Sequence, residues 1–204
     1  MTKSRDTANI IKQPFTQTLG TSNYRAGVNA GNSITSGGNY NVTVGDEAGT
    51  AITTGDQNVA IGYQALSTED ANGNNVAVGY RALKTLNVGD SGLNTAVGYL
   101  AGTAITTGRQ NTIVGAETGD ALTTGEENVA IGQNALSTDT KGSHSVAIGN
   151  SALRFQNFTS ATDTYNTAVG YVAGLSVTTG INNTLIGGLA GDALTTGSDN
   201  TVLG

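Results

Sequence analysis

The chain has no cysteine and no tryptophan, and among its 204 residues there is a single proline, Pro14, and a single histidine, His144. Without cysteine there is no disulfide framework and no thiolate metal site. Charged residues make up 12 % and aromatics 5 %, and the hydrophobic share of 37 % lies below that of an ordinary globular domain. The formal net charge of −6 repels a polyanion, so no nucleic-acid partner is expected. No run approaches the roughly 18 apolar residues of a membrane-spanning helix, so no membrane insertion is expected. The opening MTKSRDTANIIKQPF holds no apolar stretch that could serve a secretory leader. The expectation is a chain kept in the cytoplasm where it is made, or one that leaves without a classical signal.

What replaces charge is glycine, 30 residues of it, with Thr, Ser and Asn in a regular pattern, which argues against disorder. The pattern is Asn, Val or Thr, a small or apolar residue, Val/Ile/Leu, then Gly. It occurs as NVTVG from Asn41, NVAIG from Asn58, NVAVG from Asn75, NTAVG from Asn94 and NTIVG from Asn111. It continues as NVAIG from Asn128, SVAIG from Ser145, NTAVG from Asn166, NTLIG from Asn183 and NTVLG from Asn200. A weaker copy, NYRAG, starts at Asn23. The closing glycines of the ten clear copies are separated by 17, 17, 19, 17, 17, 17, 21, 17 and 17 residues.

A longer period overlies this one. Some units continue with Ala-Gly and a Thr-Thr-Gly turn, others with Ala-Leu, in the order AG, AG, AL, AL, and then again. Gly45 to Gly115 is 70 residues and Gly115 to Gly187 is 72, so the array is a tandem of four-coil cassettes. The third cassette breaks off at Gly204, from which a longer, truncated parent chain is expected. The division expected is an attachment segment, 1–22, followed by the repeat array, 23–204.

Seventeen residues are too few for a helical-hairpin repeat or a propeller blade. A β-solenoid coil of two short strands and two turns fits. The fold expected is all-β: a parallel β-solenoid (β-roll) whose eleven rungs at about 4.8 Å make a rod of roughly 50 Å. Alternation within NVAIG is expected to put Val59 and Ile61 in the core and Asn58 and Ala60 on the other face. Ala65, Ala82, Ala101, Ala135, Ala152, Ala173 and Ala190 are expected to line the core near a turn. Leu66, Leu83, Leu136 and Leu153 of AL coils are expected to fill the space taken in AG coils by Ile52, Ile105, Leu122, Val177 and Leu194. The outward alanines 60, 77, 96, 130, 147 and 168 would suit close packing of a second chain, and a side-by-side homotrimer is expected on that basis.

The Asn column (Asn41, Asn58, Asn75, Asn94, Asn111, Asn128, Asn166, Asn183, Asn200) reads either as a ligand array or as a structural amide ladder at a turn, and the ladder is preferred. Catalysis needs a convergent set of groups, and none is visible: no catalytic residue, no cofactor site and no metal site is expected, and the protein is not expected to be an enzyme. His144, in the turn KGSHS, is expected to be solvated, as are the acidic residues at turns, Asp56, Asp70, Asp120, Glu126, Glu127, Asp139, Asp192 and Asp199. Nothing singles out a carboxylate pair of the kind a glycan-cleaving spike uses. Thr-Thr-Gly recurs as on an ice-binding face, but AL coils lack it. Two insertions follow the second AL coil of a cassette, at 86–92 and 154–165. The second, with Arg154, Phe155, Phe158 and Tyr165, is a candidate interaction loop, although its aromatics would serve equally to cover the core. Tyr63, Tyr80 and Tyr99 follow the strand glycine in successive coils and are expected to stack, as a seam between chains rather than a glycan-facing strip.

The phrases NVAIGYQAL, SVAIGNSAL and NTAVGYLAG resemble the head repeats of trimeric autotransporter adhesins (YadA-like heads), and still more the related repeats of phage tail-fibre and other virion proteins. The resemblance covers about residues 23–204 and implies a left-handed parallel β-roll in a trimer, although this unit is longer than the usual adhesin-head coil. It implies a virion structural protein, a tail fibre or appendage shaft assembled in the host cytoplasm. Its partners would be itself, other tail or capsid proteins, and a host surface glycan or protein. A capsid decoration protein and a bacterial cell-surface adhesin head are the alternatives. The start, KSRDTANI, is similar to the short segments by which tail fibres begin. Lys3, Arg5, Asp6, Ile10, Ile11 and Phe15 are the candidate virion-attachment residues.

Overall fold

The structure, a computed structural model, describes residues 20–204. The attachment residues Lys3 to Phe15 lie outside that range. Eleven three-residue strands form one parallel sheet in chain order: β1 (Tyr24–Ala26), β2 (Val42–Val44), β3 (Val59–Ile61), β4 (Val76–Val78), β5 (Thr95–Val97), β6 (Thr112–Val114), β7 (Val129–Ile131), β9 (Val146–Ile148), β11 (Thr167–Val169), β12 (Thr184–Ile186) and β13 (Thr201–Leu203). β8 (Gly142–Ser143) and β10 (Thr162–Asp163) make a separate two-stranded pair. Every repeat lies over the next in register, as in Val59↔Val76, Ala60↔Ala77 and Ile61↔Val78. The array is therefore a parallel β-solenoid, with no helix among the described residues.

Each coil has one strand in the main sheet, not two. The rest of the coil is a chain of turns, and these also bond to the next rung: Gln64 donates its N–H to Asp46 O (3.1 Å), and Leu66 to Ala82 O (3.0 Å). Turn-to-turn bonding supplies what a second strand would otherwise provide.

The face assignment expected from alternation is inverted. Ala60, Ala77, Ala96, Ala130, Ala147 and Ala168 are fully buried, whereas Val59, Val76, Val78 and Val97 are only half covered and Ile61 and Ile131 are each 36 % exposed. The reason is parity. The ladder Asn turns its amide inward, and the residue two further on must face the same way. In AL coils the leucine that enters from the turn also leaves no room for Val at that inward strand position. Ala65, Leu66, Ala82 and Leu83 are fully buried, as are Ile52 and Ile105.

AG and AL coils fill this core by exchange. The residue after the turn alanine is left-handed in every coil: Gly49 at φ 56 and Gly102 at φ 57, but also Leu66 at φ 50 and Leu83 at φ 48. A Cβ at Gly49 would lie 2.8 Å from Ile52 Cδ1, so a side chain there and the one three residues later compete for one space. AL coils accept a left-handed leucine, which L-residues disfavour, and keep alanine at the inward strand position. AG coils carry Thr43, Ile113 and Leu185 there, or borrow volume from a neighbour, as where Leu83 and Leu153 reach against Gly102 and Gly174.

At the strand end the chains of successive turns come so close that a Cβ on Gly62 would meet Gly79 O at 2.4 Å, which requires glycine at that corner. The N-terminal rung is closed by Arg25, which takes the inward position opposite Thr43 and donates to Ala30 O (2.7 Å). Burial lowers its pKa from the ordinary arginine value.

The buried alanine column makes a direct test. Ala96→Leu should destabilise the rod by roughly 1–3 kcal/mol, the usual cost of overpacking, measured by urea or thermal unfolding. A change within about 0.5 kcal/mol, as for an ordinary surface position, would mean that Ala96 points outward after all.

Candidate interaction surfaces

The most regular polar feature is internal. Along the ladder an Asn Oδ1 accepts the backbone N–H of the matching residue one rung on: Asn58 N–H on Asn41 (2.9 Å), Asn111 N–H on Asn94 (3.0 Å), Asn128 N–H on Asn111 (3.0 Å), Ser145 N–H on Asn128 (2.9 Å) and Asn200 N–H on Asn183 (3.0 Å). The Nδ2 of Asn111 donates to Gly125 O and that of Asn128 to Gly142 O, at 3.0 Å each. From Asn41 to Asn183 the ladder residues are buried and their hydrogen-bonding groups are turned into the rod. The column offers nothing to an external ligand.

The ladder changes partner at Ser145. Its shorter side chain admits the buried amide of Gln156, whose Nε2 donates to Ser145 Oγ (2.8 Å) and to Asp139 Oδ2 (2.6 Å). Gln156 Oε1 accepts from Asn166 Nδ2 (2.8 Å), and the Ser145 hydroxyl is hydrogen-bonded to the Thr164 hydroxyl (2.6 Å). The second insertion is thereby wired into the core at the one rung where the Asn is missing.

Asp139 corrects the expectation of a solvated cap: it is fully buried and also accepts from the Lys141, Gly142 and Phe158 amides (3.3, 3.1 and 3.0 Å). Glu69 holds the equivalent place in the first cassette and is buried too. It was not legible as a site, although it stands three residues after an Ala-Leu pair as Asp139 does. Burial raises its pKa from the ordinary glutamate value, more than the Val88 and Asn72 amides lower it. Asp120 is half-buried, with Oδ1 lacking a partner, and burial likewise raises its pKa, with the Glu117 charge adding to the rise.

His144 is not simply solvated. Its Nε2 lies 3.3 Å from Glu127 Oε2, its Nδ1 3.2 Å from Asp163 Oδ1, and its ring stacks on Tyr165 at 5.2 Å. The two carboxylates stand at opposite ring nitrogens and do not converge on a common point. Among the described residues no group of three or more His, Asp or Glu could hold a metal ion.

The four residues of the second insertion do not form one patch. Phe158 is 7 % exposed and covers the core, Phe155 is open with the Arg154 guanidinium over its ring at 5.4 Å, and Tyr165 sits on the His144 column. Thr159, Ser160 and Ala161 are the exposed tip. In the first insertion Asn87, Gly89, Asp90 and Ser91 are exposed around a buried Val88.

Two outward features remain. Tyr63, Tyr80 and Tyr99 stack with centroids 5.6 and 5.3 Å apart and planes within 21° and 12°. Their faces are turned to one another and their edges to solvent, so the middle of the ladder gives no open ring face for a sugar to stack on. Beside it, across the turn at Gly62, runs the outward face of the main sheet. From β2 to β13 one column is Val or Thr and the other Val, Ile or Leu, with no charge in either.

Asn111→Ala would strand the Asn128 N–H and the Gly125 carbonyl. It should cost roughly 2–4 kcal/mol in chemical denaturation; a loss under about 0.5 kcal/mol would show that the ladder carries no structural weight. Searches against protein-family models, curated proteins and solved structures returned no match to this chain.

Proposed function

We propose that this chain is a structural virion protein, the shaft of a trimeric phage tail fibre or similar appendage, which attaches through its N-terminal segment and supports binding to a host receptor. The observation that carries the trimer is the uncharged outward face of the sheet, continuous around the Gly62 corner with the tyrosine ladder. Contiguous apolar surface of this extent marks an association site. It takes in the strand face from β2 to β13 and, past the strand glycine, the three stacked tyrosines. A face-to-face pair would cover one side, whereas three parallel rods let each chain present one side to each neighbour and close the ring.

The expected seam therefore moves from alanines to the Val/Ile columns, and the tyrosines belong to it. The insertion loops follow the Ala-Leu turn in the chain and have exposed tips at 89–91 and 159–161, the parts free to meet a host glycan or protein. A left-handed roll and the virion location rest on the repeat resemblance. The same resemblance supports a bacterial surface adhesin head as the second reading. Capsid decoration uses the same rod with a different attachment point.

In analytical ultracentrifugation the chain should run as three copies, and Val78→Glu combined with Val97→Glu should give soluble single rods, because carboxylates cannot be buried unpaired in a seam. A wild-type monomer would remove the trimer. Deleting residues 1–22 should leave rods that assemble but no longer appear on particles, checked by immunoblot of purified virions; particles that still carry the shortened rod would remove the attachment role.

A further inference from the structure

The two buried carboxylates are set in equivalent places, and they hold the two insertions. Leu66 and Leu136 fill the core from the left-handed position, which frees the residue three further on from packing. Those residues are Glu69 and Asp139, 70 apart, one cassette. Each accepts the N–H of a residue nineteen positions later, inside the following insertion: Val88 on Glu69 (3.4 Å) and Phe158 on Asp139 (3.0 Å).

They differ in how well they are supplied. Asp139 has three backbone donors and the short bond from Gln156. Glu69 has Asn72 N–H on Oε1 (3.2 Å), Val88 N–H on Oε2 and a weaker interaction with the Asn72 side-chain amide. Its column neighbours, Ile52 and Leu86, are apolar, and the charged group acting on it is Asp70, whose sign also favours a bound proton.

We propose that proton uptake by Glu69 unpins the loop at 86–92, while the loop at 154–165 stays held by Asp139, so that one of the rod's two insertions is a pH-responsive element. The proton goes to Oε2, the oxygen with the longer bond. The Val88 N–H then meets a hydroxyl oxygen in place of a carboxylate oxygen, a much poorer acceptor, and its charge-assisted bond, already the longer of the two, is lost. Val88 keeps the bond from Asn72 Nδ2 to its carbonyl, so the loop loosens at one end rather than detaching.

The effect is local. Because the folded-state pKa of Glu69 is raised, the folded rod binds this proton more tightly than the unfolded chain does. Its contribution to stability is therefore fullest in acid and declines as pH rises from the ordinary glutamate value through the raised one. Acid thus opens the loop contact without unfolding the rod through this group.

Amide hydrogen exchange on the full chain tests it, at about pH 8 and about pH 5, with rates corrected for intrinsic chemistry. Val88 should lose at least about tenfold of its protection at the lower pH while Phe158 keeps its own. Glu69→Gln keeps an acceptor for Asn72 and presents an NH2 to Val88. It should be loose at Val88 at both pH values, with no step between them. Equal responses of the two loops, an unchanged Val88, or a pH step that persists in Glu69→Gln would each overturn the proposal. If that variant loses protection along the whole Asn ladder, the wild-type comparison decides by the same criterion.

Discussion

The fold depends on the inward turn of one amide per coil. Once Asn41 or Asn111 points its side chain into the rod, it ties its own coil to the glycine turn at the far end of that coil and to the next Asn above. Both bonds lie in a water-free interior, where an unmade bond would cost about 1–3 kcal/mol, so each rung fixes the register of the next. The strand that follows is only three residues long. Its facing is consequently not free: with Asn inward, the central residue is inward and its neighbours are outward.

That constraint sets the size of everything else inside. The central strand residue is alanine in every AL coil because the turn leucine already occupies the cross-section. Where the turn position is glycine, the space is filled by Ile52 or Ile105 three residues on, by a large inward strand residue such as Ile113 or Leu185, or by a leucine from the adjoining coil. The AL arrangement has a consequence for the surface. With Leu66 or Leu136 supplying the volume, the position three residues later can carry a carboxylate, and the carboxylate organises a longer loop one rung away. Cassette order thus decides where insertions can be placed: each follows the second AL coil because the first supplies its anchor.

The solenoid and its period are plain in the sequence, because the strand-end glycine cannot be replaced where Gly62 meets Gly79, and it repeats at near-constant spacing. Parity was not legible. A three-residue strand gives one alternation, and two valines around an alanine look like a core face until the buried state of the preceding Asn is known. The tyrosine stacking could be read, since Tyr63, Tyr80 and Tyr99 share one offset from the glycine. Glu69, Asp139 and Gln156 could not, because a charged or amide residue in a turn is ordinarily solvated. Their burial follows only from the left-handed leucine before them. The one visible clue was Ser145, the gap in the Asn column, which marks where Gln156 enters.

The inverted faces also change where the hydrophobic energy lies. An alanine adds little on burial, at about 0.8 kcal/mol per methyl-sized group, whereas a fully covered Val or Ile contributes roughly 1.5–3 kcal/mol. The rod hides its smallest side chains and leaves two columns of larger ones half open along its length. A single rod is therefore held mainly by hydrogen bonds between coils and by the Leu and Ile that enter from the turns, and its largest unused reserve of apolar surface lies on one continuous band. Covering that band would add a contribution at every rung, while the charged and polar turns that carry the insertions lie outside it. The open Val/Ile columns and the insertions thus occupy different parts of the same seventeen-residue coil.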